Sequence, residues 1–224
     1  MITVHHLNNS RSQRILWLLE ELGVPYEVTQ YQRDPTTLMA PPELAKIHPL
    51  GKSPVITDGD HIIAESGAVV DYIIDVYGEG RLIPARGTDE RLRYTYWLHF
   101  AEGSAMPPLL MALVFGEIPK RMPAILRPLG RAIDKGVRRG FLRPTLDAQM
   151  ALMQAELARA GWFAGPAFTA ADIMMSFPIE TANAHFGLAD HPTLQDWLTR
   201  IHQRPAYQAA IKTGGPYMYA TALC

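Results

Sequence analysis

The chain has almost no sulfur chemistry of its own: one cysteine, Cys224, in 224 residues. That excludes an intramolecular disulfide framework, a Cys-based zinc site and a CxxC redox pair, and it fits a reducing compartment. An excess of either charge is also missing. Twenty-one basic and 22 acidic residues give a formal charge of −1, which argues against a dedicated nucleic-acid binder. Long apolar runs are scarce; Pro107 to Phe115 is about half of what a membrane span needs. The leading MITVHH has neither a basic lead-in nor an apolar core, so no secretory signal is expected. The eight histidines form no HExxH pair, and scattered surface or core histidines are the expectation rather than a metal site. What remains is 48% hydrophobic and 19% charged, an ordinary balance for a soluble cytoplasmic protein of one large domain or two small ones.

The first eighty residues alternate between two periods. Ile2 to His6 reads as a strand, and Ile15, Leu18, Leu19 and Leu22 follow one face of a helix that Gly23 and Pro25 end. Tyr26 to Gln30 is a second strand, and Pro42 to Lys46 spans one or two helical turns. Val55-Ile56-Thr57 and His61-Ile62-Ile63 flank Asp58-Gly59, the signature of a hairpin with a type I′ turn. From Ser66, the residues Val70, Ile73, Ile74 and Tyr77 return to helical spacing until Gly78 and Gly80. The order βαβαββα makes a compact α/β unit. After Arg81 comes a linker with Pro84 and Gly87, and beyond it only helices are expected: 89 to 116, 145 to 160, 170 to 184, 193 to 203 and 205 to 212. Pro119, Pro123, Pro128 and Pro144 divide the middle.

Three segments have a bland and a functional reading. Ser10 and Gln13 have the spacing of a capping box. The same helix start can also hold an anion, because unpaired N–H groups and the dipole point at it, and a serine hydroxyl there can donate to a thiolate. Pro54 precedes a strand, either as a plain turn or as a cis Ser53-Pro54 bond that bares the Ser53 backbone for an extended peptide. Ser66 is a natural N-cap; alternatively Ser66 and the helix amides take a carboxylate while Glu65 takes an ammonium, the two ends of an amino acid.

In this order and at these intervals, the segments resemble the cytosolic glutathione transferases, and SRSQRILWLLEEL from Ser10 to Leu22 resembles their serine-type bacterial and fungal branch. Thr169-Ala170-Ala171-Asp172 is similar to the family's helix-capping box, so the resemblance spans essentially the whole chain. It implies a thioredoxin-like N-terminal domain over residues 1–80, a linker over 81–88 and an all-α domain over 89–224. It implies Ser10 as the catalytic residue, bonded to the glutathione sulfur, with Asn9, Lys52, Ser53, Pro54, Glu65 and Ser66 around glutathione. Phe100, Met106 and Leu110 take the place of the electrophile pocket, and Thr169 and Asp172 are structural. Glutathione is then a co-substrate, with no tightly bound cofactor or metal, and the protein a detoxifying homodimer without nucleic-acid or membrane partners. Three departures stand out. Met39 and Ala40 replace a His or Lys that several classes use for the glycine carboxylate; Ser12 lies close enough to compete with Ser10; and Asn9 falls near the nucleophile of cysteine-type relatives.

Magnitudes decide what Ser10 must do. A thiol of pKa near 8.5 is roughly 3% thiolate at pH 7, and half-ionisation needs a drop of about two units, or about 2.7 kcal/mol. A helix terminus contributes about 0.3 to 1 kcal/mol, and a hydrogen bond to a charged group about 1.5 to 3 kcal/mol. The dipole alone falls short; the dipole plus a hydroxyl donor suffices. Other features have plainer explanations. Trp162 and Phe163 read as core, and Tyr217 and Tyr219 as a lid or an untidy tail. Residues 120 to 143 hold Lys120, Arg121, Arg127, Arg131, Lys135, Arg138, Arg139 and Arg143 against Asp134 alone, a local +7 that leaves −8 for the rest. A solvated face, a rim that attracts acidic substrates and an RNA-binding patch all fit that run. A transferase fold that has lost turnover and serves as a binding module is the alternative to an enzyme.

Overall fold

A computed structural model describes residues 1–220; Cys224 lies outside the described residues. The N-terminal unit runs β1 (Ile2–Leu7), α1 (Gln13–Leu22), β2 (Tyr26–Tyr31), α2 (Glu43–Ile47), β3 (Val55–Asp58), β4 (His61–Ala64) and α3 (Ser66–Tyr77). The sheet order is β2-β1-β3-β4, with β1 parallel to β2 and antiparallel to β3. β1 is therefore interior, and it is buried along nearly its whole length rather than on alternate residues. Helix α1 goes further than its apolar stripe predicts. Arg14, Leu16 and Trp17 are buried along with Ile15, Leu18, Leu19 and Leu22, because α1 packs both on its own unit and against α8 (Ala170–Phe186) and α10 (Pro205–Gly214). Gly23 at φ +64 ends it, its N–H turned back to Leu19 and Glu20 carbonyls.

Two local expectations are corrected. Asp58 pairs with His61 as the last rung of the hairpin, so the turn is centred on Gly59-Asp60 rather than Asp58-Gly59. Of the two, only Gly59 has a positive φ, the type II′ pattern, in which glycine takes the first central position. The Ser10–Gln13 capping box does not form. Ser12 occupies the cap position of α1 without a side-chain cap, and both polar atoms of the Gln13 side chain are buried without a partner.

The second unit is helical: α4 (Asp89–Phe100), α5 (Met106–Arg121), α6 (Arg127–Val137), α7 (Arg143–Ala160), α8, α9 (Pro192–His202) and α10. Five-residue π-helical segments at Ala101–Ala105 and Arg138–Leu142 join α4 to α5 and α6 to α7. The predicted break before residue 145 is therefore absent. A proline in a helix collides with the carbonyl four residues back; a wide turn directly before Pro107-Pro108 and before Pro144 moves that carbonyl away, and the helices continue. The joined Asp89–Arg121 run is 33 residues, long and apolar enough to span a membrane, a measure that the partly buried core helix of a folded domain also meets.

The main core joins the units: Trp17 and Leu19 of α1, Val70 of α3, Trp97 of α4, Met174 of α8 and Trp197 of α9 belong to one cluster. Phe163 is wholly buried in it and Trp162 packs against it. At the start of α8, Asp172 accepts N–H bonds from Thr169 at 2.9 Å, Phe163 at 3.1 Å and the Trp197 indole at 3.3 Å. Burial pushes its carboxyl up to about 6 even so, although these donors oppose the rise.

Candidate active site

The turn from β1 to α1 brings polar groups into a nearly dry space. Ser10 is 3% exposed. Its Oγ accepts the Ser12 N–H at 3.2 Å and lies 2.8 Å from Ser12 Oγ. Ser12 Oγ in turn accepts the Leu7 N–H at 3.3 Å and meets His6 Nδ1 at 2.9 Å. Burial drives His6 down to about 4, with a backbone hydrogen bond to Gly214 opposing it, so the ring is neutral at pH 7. Gly214 packs closely here: a Cβ there would sit 2.5 Å from Gln13 Oε1 and 2.9 Å from Leu16 Cδ1, so those side-chain ends would have to shift. Between the two serines there is a difference in surroundings. Ser12 is completely enclosed and shared among β1, His6 and Ser10, whereas the Ser10 hydroxyl makes its hydrogen bonds to Ser12 alone among the described residues.

A second group of charges sits against this turn. The Arg14 side chain is buried; it donates to the Met174 carbonyl at 2.7 Å and to Ser66 Oγ at 2.9 Å, and it pairs with Glu102. Arg11 reaches the other Glu102 oxygen at 3.1 Å. Burial would raise the Glu102 carboxyl, but Arg14 and Arg11 outweigh it and hold it below its usual range. Burial lowers Arg11, with Glu102 opposing. Both guanidinium groups face the Phe177 ring, 5.6 and 5.9 Å from its centroid. Ser66 is thus not the N-cap that its sequence position suggests. Glu65, at φ +73, holds the cap position, and Ser66 opens α3 with its hydroxyl on Arg14.

The C-terminal segment crosses the same place. The Met218 N–H bonds Asn9 Oδ1 at 2.9 Å, and Asn9 itself adopts φ +48. The Tyr217 hydroxyl donates to buried Glu180 at 2.7 Å, and the Tyr219 ring packs edge-on against Phe177 at 5.4 Å. Ser53-Pro54 is cis, and Ser53 Oγ donates to the His5 carbonyl at 3.0 Å. Lys52 and Glu65 are exposed beside this group.

The structure therefore gathers Ser10, Asn9 and Ser66 at one end of the sheet, with Ser53 tied to β1. It separates the three pocket candidates: Phe100 and Met106 belong to the main core, and Leu110 is exposed. A cavity of about 340 Å³ lies further along α5, between Ala112, Gly116, Asp134, Arg138 and His185, and none of the three lines it. Sequence reasoning missed Glu102 and the two arginines. The available signal was the run Gly103-Ser104 before Pro107-Pro108, which marks an irregular helix, and an arginine set among the apolar residues of α1.

The family model described as "Glutathione S-transferase, N-terminal domain" matches residues 1–75, and "Glutathione S-transferase, C-terminal domain" matches residues 118–205. The chain is 35% identical over 212 residues to Glutathione S-transferase 3 of Schizosaccharomyces pombe, covering 94% of this chain and 86% of that protein. The chain belongs to the glutathione S-transferase family. The solved glutathione S-transferase of Actinobacillus pleuropneumoniae superposes with a TM-score of 0.83 at 34% identity, over 99% of this transferase and 96% of that chain. A sphingomonad glutathione S-transferase solved with glutathione shares the fold, with a TM-score of 0.72 at 24% identity over 95% and 98% of the two chains. The protein is an enzyme, a glutathione transferase with a thioredoxin-like N-terminal domain and a helical C-terminal domain. A fold that has lost turnover is not favoured by relatives that are themselves named transferases.

Proposed function

We propose that this transferase binds glutathione at the β1–α1 turn, ionises its thiol there and delivers the thiolate to a hydrophobic electrophile or an organic hydroperoxide. Residues 1–80 form the glutathione domain, 81–88 the linker and 89–224 the helical domain, in a cytoplasmic homodimer that serves detoxification. Glutathione is a co-substrate that comes and goes, not a resident cofactor. Ser10 donates its hydroxyl hydrogen to the sulfur while its oxygen accepts from Ser12. The thiol proton leaves to solvent, the sulfur lone pair forms the new bond to the electrophile, and the leaving group departs with its electrons. Glu65 takes the γ-glutamyl ammonium. Ser66, whose hydroxyl accepts from Arg14, takes the γ-glutamyl carboxylate together with the amides that open α3. The Ser53 main chain, set by Pro54, pairs with the cysteinyl backbone, and Lys52 and Asn9 flank the peptide.

The observation that carries this reading is the Ser10 hydroxyl, nearly buried at the start of α1 with its oxygen already bonded by Ser12. Arg11 and Arg14 sit nearby against Glu102, and Glu65 acts on Arg11 as well, so these charges balance and the dipole and the hydroxyl carry the ionisation. Ser10→Ala is expected to raise the pKa of bound glutathione by about one to two units, read from thiolate absorbance and the pH–rate profile, with little change in glutathione affinity. An unchanged profile overturns the role of Ser10 and moves it to Ser12 or Asn9.

A further inference from the structure

The loop after β2 sets a cation without a counterion beside the β1–α1 turn. Arg33 is half-buried. Its backbone N–H bonds Asn8 Oδ1 at 2.8 Å, its Nε donates to the Asn8 carbonyl at 3.3 Å and its Nη1 to the Leu38 carbonyl at 3.1 Å. Nη2 has no hydrogen-bond partner among the described residues. The neighbouring carboxylate, Asp34, is engaged elsewhere: it accepts the Thr36 and Thr37 N–H groups at 3.0 and 2.6 Å and the Thr37 hydroxyl at 2.9 Å. Among the described residues Arg33 makes no ion pair. Burial lowers its pKa, with the Tyr219 hydroxyl opposing and Arg11 reinforcing, and no carboxylate takes part. A guanidinium fixed on two carbonyls, with donors left over and no anion, is a ready receptor for a carboxylate.

The sheet supplies a ruler. β1 and β2 finish, β3 begins and β4 finishes at the same end of it. Arg33 after β2, Ser10 after β1, Ser53 before β3 and Ser66 after β4 therefore follow one another in the strand order β2-β1-β3-β4. Neighbouring strands lie about 4.8 Å apart, which puts about 14 Å between the outer two. Extended glutathione, three residues long, spans about 11 Å, and the reach of the end side chains closes the difference. We propose that Arg33 binds the glycine carboxylate of glutathione. This rests on the proposed glutathione site: with the γ-glutamyl end at Ser66 and the sulfur at Ser10, the rest of the tripeptide leaves toward β2. Of the two carboxylates of glutathione, the glycine one is still without a partner there. Lys52 is exposed on a flexible stem that binding must order, whereas Arg33 is already held on two carbonyls.

The test compares glutathione with its glycinamide, in which a neutral amide replaces the terminal carboxylate. Calorimetry gives Kd for each peptide on the full chain, and conjugation of a chlorodinitrobenzene gives KM and kcat. The wild type should bind glutathione about tenfold or more tighter than the amide, the value of a charge-assisted hydrogen bond. R33Q should weaken glutathione by that factor and erase the preference, with the loss falling on KM rather than kcat. R33K, which keeps the charge without the fork, should keep part of the preference. Equal weakening of both peptides in R33Q would make Arg33 a mere brace for the loop and overturns the proposal. So does a preference that survives in R33Q and is lost in K52Q, which gives the carboxylate to Lys52. Unchanged glutathione binding in R33Q with a selective loss on a chloronitrobenzoate also overturns it, and makes Arg33 a contact for acidic electrophiles. A wild type that binds and conjugates both peptides equally well removes Arg33 alone, whereas one that binds neither removes the glutathione site with it.

Discussion

Two neutral hydroxyls and a neutral imidazole form the chain Ser10–Ser12–His6, and each link is short because the turn is almost dry. Ser12 is the residue that most other groups depend on. Ser12→Ala strands the Leu7 N–H and removes the 2.8 Å partner of Ser10. It should cost about 1–3 kcal/mol in a denaturant titration and lower kcat as Ser10 loses its orientation, whereas Ser10→Ala should alter the pH profile with little loss of stability. His6 adds a pH dependence. Its pKa falls from 6.5 to about 4 on folding, so between those values the unfolded chain binds the extra proton, and stability drops as pH falls through the window. Replacing His6 with Asn should remove that slope from the unfolding free energy measured between pH 4 and 6.5. Glu102 belongs to the same scale. Its side chain is about one-third exposed, but its partner Arg14 is enclosed. An exposed pair is worth up to about 1 kcal/mol and breaking a buried one costs about 3–5, so Glu102→Gln is expected to cost about 2 kcal/mol and to raise KM for glutathione through Ser66.

At the scale of an element, the start of α8 shows the opposite sign. Asp172 rises from 3.8 to about 6 on folding. The folded state then holds the extra proton, so this carboxyl takes stability away as pH rises from about 4 to 6. The His6 and Asp172 slopes overlap and oppose each other, and only single variants expose them. The stability of wild type relative to Asp172→Asn should decline across that window, measured by urea unfolding at several pH values. Asp172→Ala leaves the Thr169, Phe163 and Trp197 N–H groups without their acceptor, at an expected cost of about 2–4 kcal/mol. This cap was legible in Thr169-Ala170-Ala171-Asp172 because both ends of the motif are local. The α6–α7 continuity was not, because a proline normally stops a helix and only the π segment before Pro144 cancels its clash.

At the scale of the molecule, Glu180 is where the C-terminal elements meet. Buried in α8, it accepts from Tyr207 of α10 at 2.6 Å and Tyr217 of the terminal segment at 2.7 Å, and pairs with His202 of α9 at 2.9 Å. Tyr217→Phe loses one such bond, about 1 kcal/mol. It should also make the segment after Gly214 faster to cleave in limited proteolysis, since Tyr217 and the Met218–Asn9 bond hold it down. Glu180→Ala leaves two hydroxyls and an imidazole unsatisfied and is expected to cost several times as much.

Periodicity, glycine and proline already determined the βαβαββα order, the hairpin, the helical second half and the segment bearing Ser10, since these depend on residues a few positions apart. Where Arg14 points, which element supplies Glu102, and that Phe100 and Met106 lie in the core were decided only when α1 packed against α3, the π segment and α8. Those contacts join residues 52 to 160 positions apart, and burial and ion pairing at that separation depend on which surfaces meet, which local spacing does not record.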